Sequence, residues 1–206
     1  MSELLRATSI GSKFVLDAIA VARIRGTLAA GGLVVYPTDT VYGIAADVFQ
    51  EIALDRLYAA KARPRELVVS MAVASVDDVF RFGVRTPIAA AFCEKNLPGP
   101  YTVVLEPTPD APRGLVSKDG RLAIRVPDHP IPRLLAKAFG PITATSANRH
   151  GLPSPTTCDE ARAQLGEAVD VYLDGGPAPL GRESTVVDLS GPRARILRQG
   201  PLPRGP

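Results

Sequence analysis

Lys61 and Arg63, within Lys61-Ala62-Arg63-Pro64, put two cations within three residues at the end of a helical stretch. Thr145-Ser146-Ala147-Asn148 supplies hydroxyl and amide groups from about a third of the chain further on. Lysine meets phosphate as a mobile point charge, whereas the arginine fork takes two oxygens at once. The combination suits a polyphosphate, so a nucleotide is the first ligand to consider. Arg125 interrupts the otherwise apolar run Leu122 to Val126, and a cation at such a position is usually paired or functional. Plainer readings stand beside these. A basic pair at a helix end is also what the helix dipole favours. Ser146-Ala147-Asn148 is also a turn, Thr38 and Thr40 also cap or turn residues after Pro37, and Ser184 also the end of a loop.

Other chemistries lack their residues. His129 and His150 both sit among prolines or glycines, there is no nucleophile elbow, and no cluster has metal-ligand spacing. Neither histidine is expected to be a catalytic base, and no protein-held metal is expected. Cys93 and Cys158 lie far apart, which argues against a disulfide framework or zinc site and for a reducing cytoplasm. No apolar run reaches the roughly 20 residues of a membrane span, and the start lacks a leader pattern. The net charge of +3 and pI near 9.0 agree with an anionic ligand without demanding nucleic acid.

The elements that must position these groups alternate between helix and strand. Helices are expected over Phe14 to Ala30, with Val15, Ile19, Val21, Ala22 and Ile24 at helical spacing, and over Glu51 to Lys61, with Ile52, Leu54, Leu57 and Tyr58 inward. Others are expected at Val76 to Phe82, Thr86 to Asn96, Ile131 to Phe139 and Thr157 to Leu165. Strands are expected at Leu33 to Tyr36, Val68 to Val73, Tyr101 to Glu106, Leu122 to Val126, Ile142 to Ala144, Val169 to Leu173, Thr185 to Leu189 and Arg195 to Leu197. With 206 residues, 46% of them hydrophobic, the expectation is a single α/β domain over 1–206, one twisted mixed sheet flanked by helices. Its 20 prolines and 18 glycines mark rigid loops at strand ends, where such folds hold ligands.

Six motifs then occur in order. They are Gly31 to Gly43 (with Tyr36-Pro37-Thr38-Asp39-Thr40), Lys61-x-Arg63-Pro64, Pro98-Gly99-Pro100-Tyr101-Thr102, Ala123-Ile124-Arg125-Val126-Pro127, Ser146-Ala147-Asn148 and Glu183-Ser184-Thr185-Val186-Val187-Asp188. From about residue 31 to 200 the chain resembles the YrdC/TsaC family in its single-domain form. The resemblance implies a YrdC-like fold and a threonylcarbamoyl-AMP synthase, a nucleotidyltransferase that forms L-threonylcarbamoyladenylate and pyrophosphate from L-threonine, bicarbonate or CO2, and ATP. The product serves threonylcarbamoyladenosine modification of tRNA, which implies tRNA binding and hand-over to a downstream threonylcarbamoyl transferase.

Carried onto this sequence, the resemblance makes Lys61, Arg63, Ser146 and Asn148 the catalytic set. Ala144, Ser154 and Arg198 join Lys61, Arg63 and Ser146 around the nucleotide, and Thr38, Thr40, Arg125 and Ser184 hold threonine. Magnesium is implied as arriving with ATP, held by phosphates and water. Catalysis would rest on positioning and electrostatic stabilisation. Lys61 and Arg63 are expected to face solvent, so that removing either lowers activity with little effect on stability. The chain departs from the family where Leu67, Val68 and Ala72 replace an Asn-Pro pair and a histidine, and Arg121 replaces a small hydroxyl residue. Two alternatives remain: an RNA-binding module built on Lys61, Arg63, Arg65, Arg121, Arg125 and Arg198, and a related carbamoyl-adenylate enzyme with another amine. Only 5% of residues are aromatic and none is tryptophan, which counts against stacked bases.

Overall fold

The computed structural model describes residues 2–10 and 13–201. In chain order the elements are β1 (Glu3–Arg6), β2 (Thr8–Ile10), β3 (Lys13–Val15), α1 (Ala18–Ala29), β4 (Val34–Tyr36), β5 (Gly43–Ala45), α2 (Glu51–Lys61) and β6 (Met71–Ala72). There follow α3 (Val76–Phe82), α4 (Pro87–Asn96), β7 (Tyr101–Leu105), β8 (Leu122–Arg125), α5 (Pro130–Phe139), β9 (Ile142–Thr143) and β10 (Thr145–Ser146). The last are α6 (Cys158–Leu165), β11 (Val171–Asp174), β12 (Thr185–Asp188) and β13 (Arg195–Arg198).

The mixed α/β class holds, with the strands divided between two principal sheets rather than gathered in one. Five strands run β1-β11-β4-β5-β10 and six run β13-β12-β7-β8-β6-β9. One of the chain's crossings between the sheets, from β9 to β10, takes a single residue. Ile142–Thr143 pairs with β6 in the larger sheet and Thr145–Ser146 with β5 in the smaller, leaving Ala144 between them. Ala144 is held there by Ser70, whose carbonyl accepts from the Ala144 amide at 2.7 Å and whose hydroxyl donates to the Ala144 carbonyl at 2.5 Å.

Local chemistry explains the helix starts. Asp17, Ser75, Thr86 and Thr157 each accept a hydrogen bond from a first-turn amide, and Pro87 and Pro130 occupy the first turns of α4 and α5, where no amide donor is needed. The Asp17 cap starts α1 at Ala18 rather than Phe14; residues 13–15 instead ladder against β2. On α1 the buried face is Ala20, Ile24 and Leu28, and Ile19 is 80% exposed. On α2 the inward stripe is Leu54, Leu57, Tyr58 and Lys61, spaced i, i+3, i+4, i+7. Ile52, two residues before Leu54, falls on the opposite side and is 67% exposed.

The apolar run at β4 is buried on both faces. Val35 packs into the larger core cluster with Leu54, Leu57 and Tyr172, and Val34 and Tyr36 into a second with Ile24, Leu28 and Leu173. Of the Val68 to Val73 stretch only Met71–Ala72 joins a sheet, between β8 and β9. β1, β2, β3, β5 and β10 are too short or too polar to stand out as strands in the sequence.

Candidate functional site

A cleft of about 480 Å³ lies where the chain passes between the sheets, within the usual range for a small-ligand site. It collects residues from every motif quoted above. Lys61 and Arg63 come from the end of α2, Arg125 from β8, Ala144 and Ser146 from the sheet crossover, and Ser184, Thr102 and Arg198 from β7, β12, β13 and their approaches. Thr38, Thr40 and Asn148 also line it. Ser154 is absent from the lining and reaches the site through Glu183, whose carboxylate accepts from its hydroxyl at 2.6 Å.

Lys61 departs from expectation: its side chain is turned inward and only 1% of the residue is exposed. Helix α2 ends with Ala62 in the left-handed conformation at φ 48°, which sends the chain away from the helix axis while Lys61 remains on the buried stripe. The ammonium donates to the Asn148 carbonyl at 2.7 Å, to Asn148 Oδ1 at 3.3 Å and to the Ser146 carbonyl. The Lys61 carbonyl in turn accepts from the His150 amide at 2.7 Å. Burial, with Arg63 adding to it against Glu183, lowers the lysine pKa to about 7. Arg63 is half-buried, donates from Nε to the Leu67 carbonyl at 2.8 Å and has its guanidinium pKa lowered chiefly by burial.

Asn148 is wholly engaged in shaping its loop. Its Oδ1 accepts from the Ser146 hydroxyl at 2.5 Å and its amide donates to the Leu152 and Arg149 carbonyls at 2.6 and 3.0 Å. Ser146 keeps its oxygen available as an acceptor while its proton serves Asn148.

Arg125 is buried and paired. One amino group donates to Asp39 Oδ1 at 2.5 Å and the other to the Thr40 hydroxyl at 2.6 Å. Thr38 braces this loop, donating to the Val41 carbonyl at 2.7 Å and accepting from the Thr40 amide at 3.0 Å. Ser184 shares a 2.8 Å hydrogen bond with Thr102, and its carbonyl accepts from Arg198 Nη2 at 3.0 Å. Arg198 also forms an ion pair with Glu183. Burial works to raise the Glu183 pKa, but Ser154, Arg198, Ser146 and Lys61 together outweigh it, and the net shift is downward.

Asp39, Thr102 and Glu183 went unassigned in the sequence reading. All three lie inside the quoted motifs, where Asp39 and Glu183 look like loop residues and Thr102 like an ordinary strand position. Of the departures, Val68 lines the cleft, Leu67 is exposed and outside the lining, and Ala72 is sealed in the second core cluster. Arg121 is also outside, 3.6 Å from Glu106. The continuous basic surface required by an RNA module is not formed. Arg65 pairs with Glu51 and Asp55, Arg121 with Glu106, Arg125 with Asp39 and Arg198 with Glu183.

Chemically, the cleft offers cations and hydroxyls. Its one lining carboxylate is Glu183, and among the described residues no group of three or more His, Cys, Asp or Glu could hold a metal.

Residues 26–200 match the Sua5/YciO/YrdC family model, described as telomere recombination. A Mycobacterium tuberculosis relative is 39% identical over 178 residues, covering 86% of this chain and 82% of its own. The threonylcarbamoyl-AMP synthase of Vibrio cholerae is 33% identical over 177 residues, 84% of this chain and 93% of that one. The crystal structure of Pyrococcus abyssi Sua5 complexed with L-threonine has a TM-score of 0.88 at 31% identity and covers 98% of this chain, which spans 58% of that longer protein.

Proposed function

Because this chain belongs to the Sua5/YciO/YrdC family, we propose that it is a threonylcarbamoyl-AMP synthase, a nucleotidyltransferase acting on L-threonine, bicarbonate or CO2, and ATP. One observation carries the reading: a single cleft holds both a phosphate-type set, Lys61, Arg63 and Arg198, and a carboxylate-type set, Arg125, Thr40 and Ser184. Ser184 joins them, touching Thr102 on one side and Arg198 on the other. A site for an amino acid beside a site for a nucleotide is what formation of an aminoacyl-type adenylate requires.

In this reading Arg125 takes the threonine carboxylate, with Thr38, Thr40 and Ser184 around the remaining polar groups. The threonine nitrogen bonds to the carbon of bicarbonate or CO2; with bicarbonate, water is lost. A carbamate oxygen then attacks the α-phosphorus of ATP and pyrophosphate leaves. Both steps move negative charge, so the contribution of Lys61, Arg63 and Arg198 is orientation and stabilisation of phosphate oxygens. Lys61 also tethers the Ser146 to Asn148 loop through its carbonyls, and Ala144, fixed by Ser70, lines the cleft at the crossover. Magnesium would be held chiefly by the phosphates of ATP, with Glu183 the one carboxylate lining the cleft beside them. The product would pass to a downstream transferase acting on tRNA in the cytoplasm. No described helix is long and apolar enough to cross a membrane.

The test is pyrophosphate release from ATP with threonine and bicarbonate, each omitted in turn. Release that needs all three supports the assignment, and release indifferent to the amino acid overturns it.

A further inference from the structure

The phosphate-type set of cations already has an anion. Glu183 lines the cleft with Lys61, Arg63 and Arg198. One carboxylate oxygen accepts from the Ser154 hydroxyl at 2.6 Å and the other is paired with Arg198 Nη1. Lys61 and Arg63 both feel its charge. A structural salt bridge placed for stability would gain little here. The Arg198 side chain is 47% exposed and that of Glu183 36%, a setting in which ion pairs contribute weakly.

We infer that Glu183 is a specificity-determining residue: it holds the phosphate subsite as an internal anion and sets the charge that a ligand must bring to displace it. The inference rests on the nucleotide reading above and deepens it. An intramolecular group competes at high effective concentration, so a free anion must outbid it by charge or by number of contacts. A triphosphate does both, offering several charged oxygens to two guanidinium forks beside the Lys61 charge. Inorganic phosphate brings at most two charges at neutral pH and engages fewer donors. The displaced carboxylate has somewhere to go, since a third of its side chain already meets solvent. Abundant small anions would thus be kept off a site whose cations would otherwise collect them.

The experiment compares ATP and inorganic phosphate as ligands of the wild type and of Glu183→Gln, which keeps the shape and a partner for Ser154 but removes the charge. In wild type, inorganic phosphate at roughly 10 mM should leave ATP binding by calorimetry unchanged. In Glu183→Gln, phosphate should compete, with an apparent affinity about tenfold or more tighter, while ATP gains less, so the preference for ATP over phosphate narrows. Phosphate competing equally well in wild type would overturn the inference without any variant. So would a Glu183→Gln protein that binds both ligands more weakly, because Glu183 would then merely support Arg198. If wild type binds phosphate but not ATP, the nucleotide reading itself fails and this inference with it.

Discussion

Asp39 and Arg125 meet at 2.5 Å with both side chains less than a tenth exposed, 86 residues apart in the chain. The pair is incompletely satisfied: Arg125 Nε and Asp39 Oδ2 have no hydrogen-bond partner. Nε is sealed from the cleft, whereas each amino group uses only one of its two N–H donors on Asp39 and Thr40. Asp39 thus holds the guanidinium in place, and in the proposed reading the second N–H groups are what the substrate carboxylate would meet.

Asp39→Ala should therefore be severe. Breaking a buried pair strands a charge at a cost of about 3–5 kcal/mol, on the order of 10 °C in Tm for a chain this long. Threonine KM should rise while the Kd for ATP, measured by calorimetry on the folded fraction, stays near wild type. A threonine KM that does not move would show that Asp39 does not position Arg125.

Lys61→Ala and Arg63→Ala should part company. In the proposed reading each removes a cation beside the phosphates, worth about 1.5–3 kcal/mol, a rate loss of roughly tenfold or more. Only Lys61→Ala also strands the Ser146 and Asn148 carbonyls, for about 1–3 kcal/mol and several degrees of Tm. Arg63→Ala should melt within about 2 °C of wild type. Equal melting temperatures for the two variants would contradict the tether.

The lowered Lys61 pKa makes ATP binding proton-linked. At about 7 in the fold against roughly 10.4 unfolded, the unfolded chain binds more protons between these values. This group's contribution to stability therefore increases as pH rises from 7 towards 10. Phosphate at Lys61 favours the ammonium and pushes its pKa back up. Near pH 8, ATP binding should take up protons, read as a calorimetric heat that varies with buffer ionisation enthalpy. Identical heats in two such buffers would rule this out.

His129 should govern acid stability rather than catalysis. Burial lowers its pKa to about 4, against the nearby charges of Asp39 and Asp128. The unfolded histidine protonates first, so this contribution is whole above about pH 6.5 and is lost as pH falls towards 4. Tm should decline over that window, and His129→Asn should flatten the decline. An unchanged slope would assign acid sensitivity to other groups.

Threonine should be distinguished from valine by far more than a methylene's worth of binding energy. Valine keeps the branched shape but cannot satisfy a site of hydroxyls such as Thr40 and the Ser184–Thr102 pair. Pyrophosphate release with the two amino acids measures it. Equal rates would leave the adenylate chemistry standing and remove threonine as its amine.

The sequence by itself determined what is local. Capping residues Ser75, Thr86 and Thr157, with Pro87 beside Thr86, specify helix starts within a turn, so α3, α4 and α6 lie close to their expected ranges. The motif order likewise marked Lys61, Arg63, Arg125, Ser146, Asn148 and Ser184, all of which line one cleft. What tertiary structure alone decided was the partner of each. Periodicity put Ile52 inward, yet the sheets bury the stripe through Leu54 and Lys61 instead. The lysine's carbonyl acceptors lie 85 and 87 residues away, and the counterion of Arg125 lies 86 residues away, brought near by strand order rather than by spacing. A side chain's charge and reach are written in its type, but whether it meets solvent, a carbonyl or a carboxylate depends on which strands the fold sets side by side.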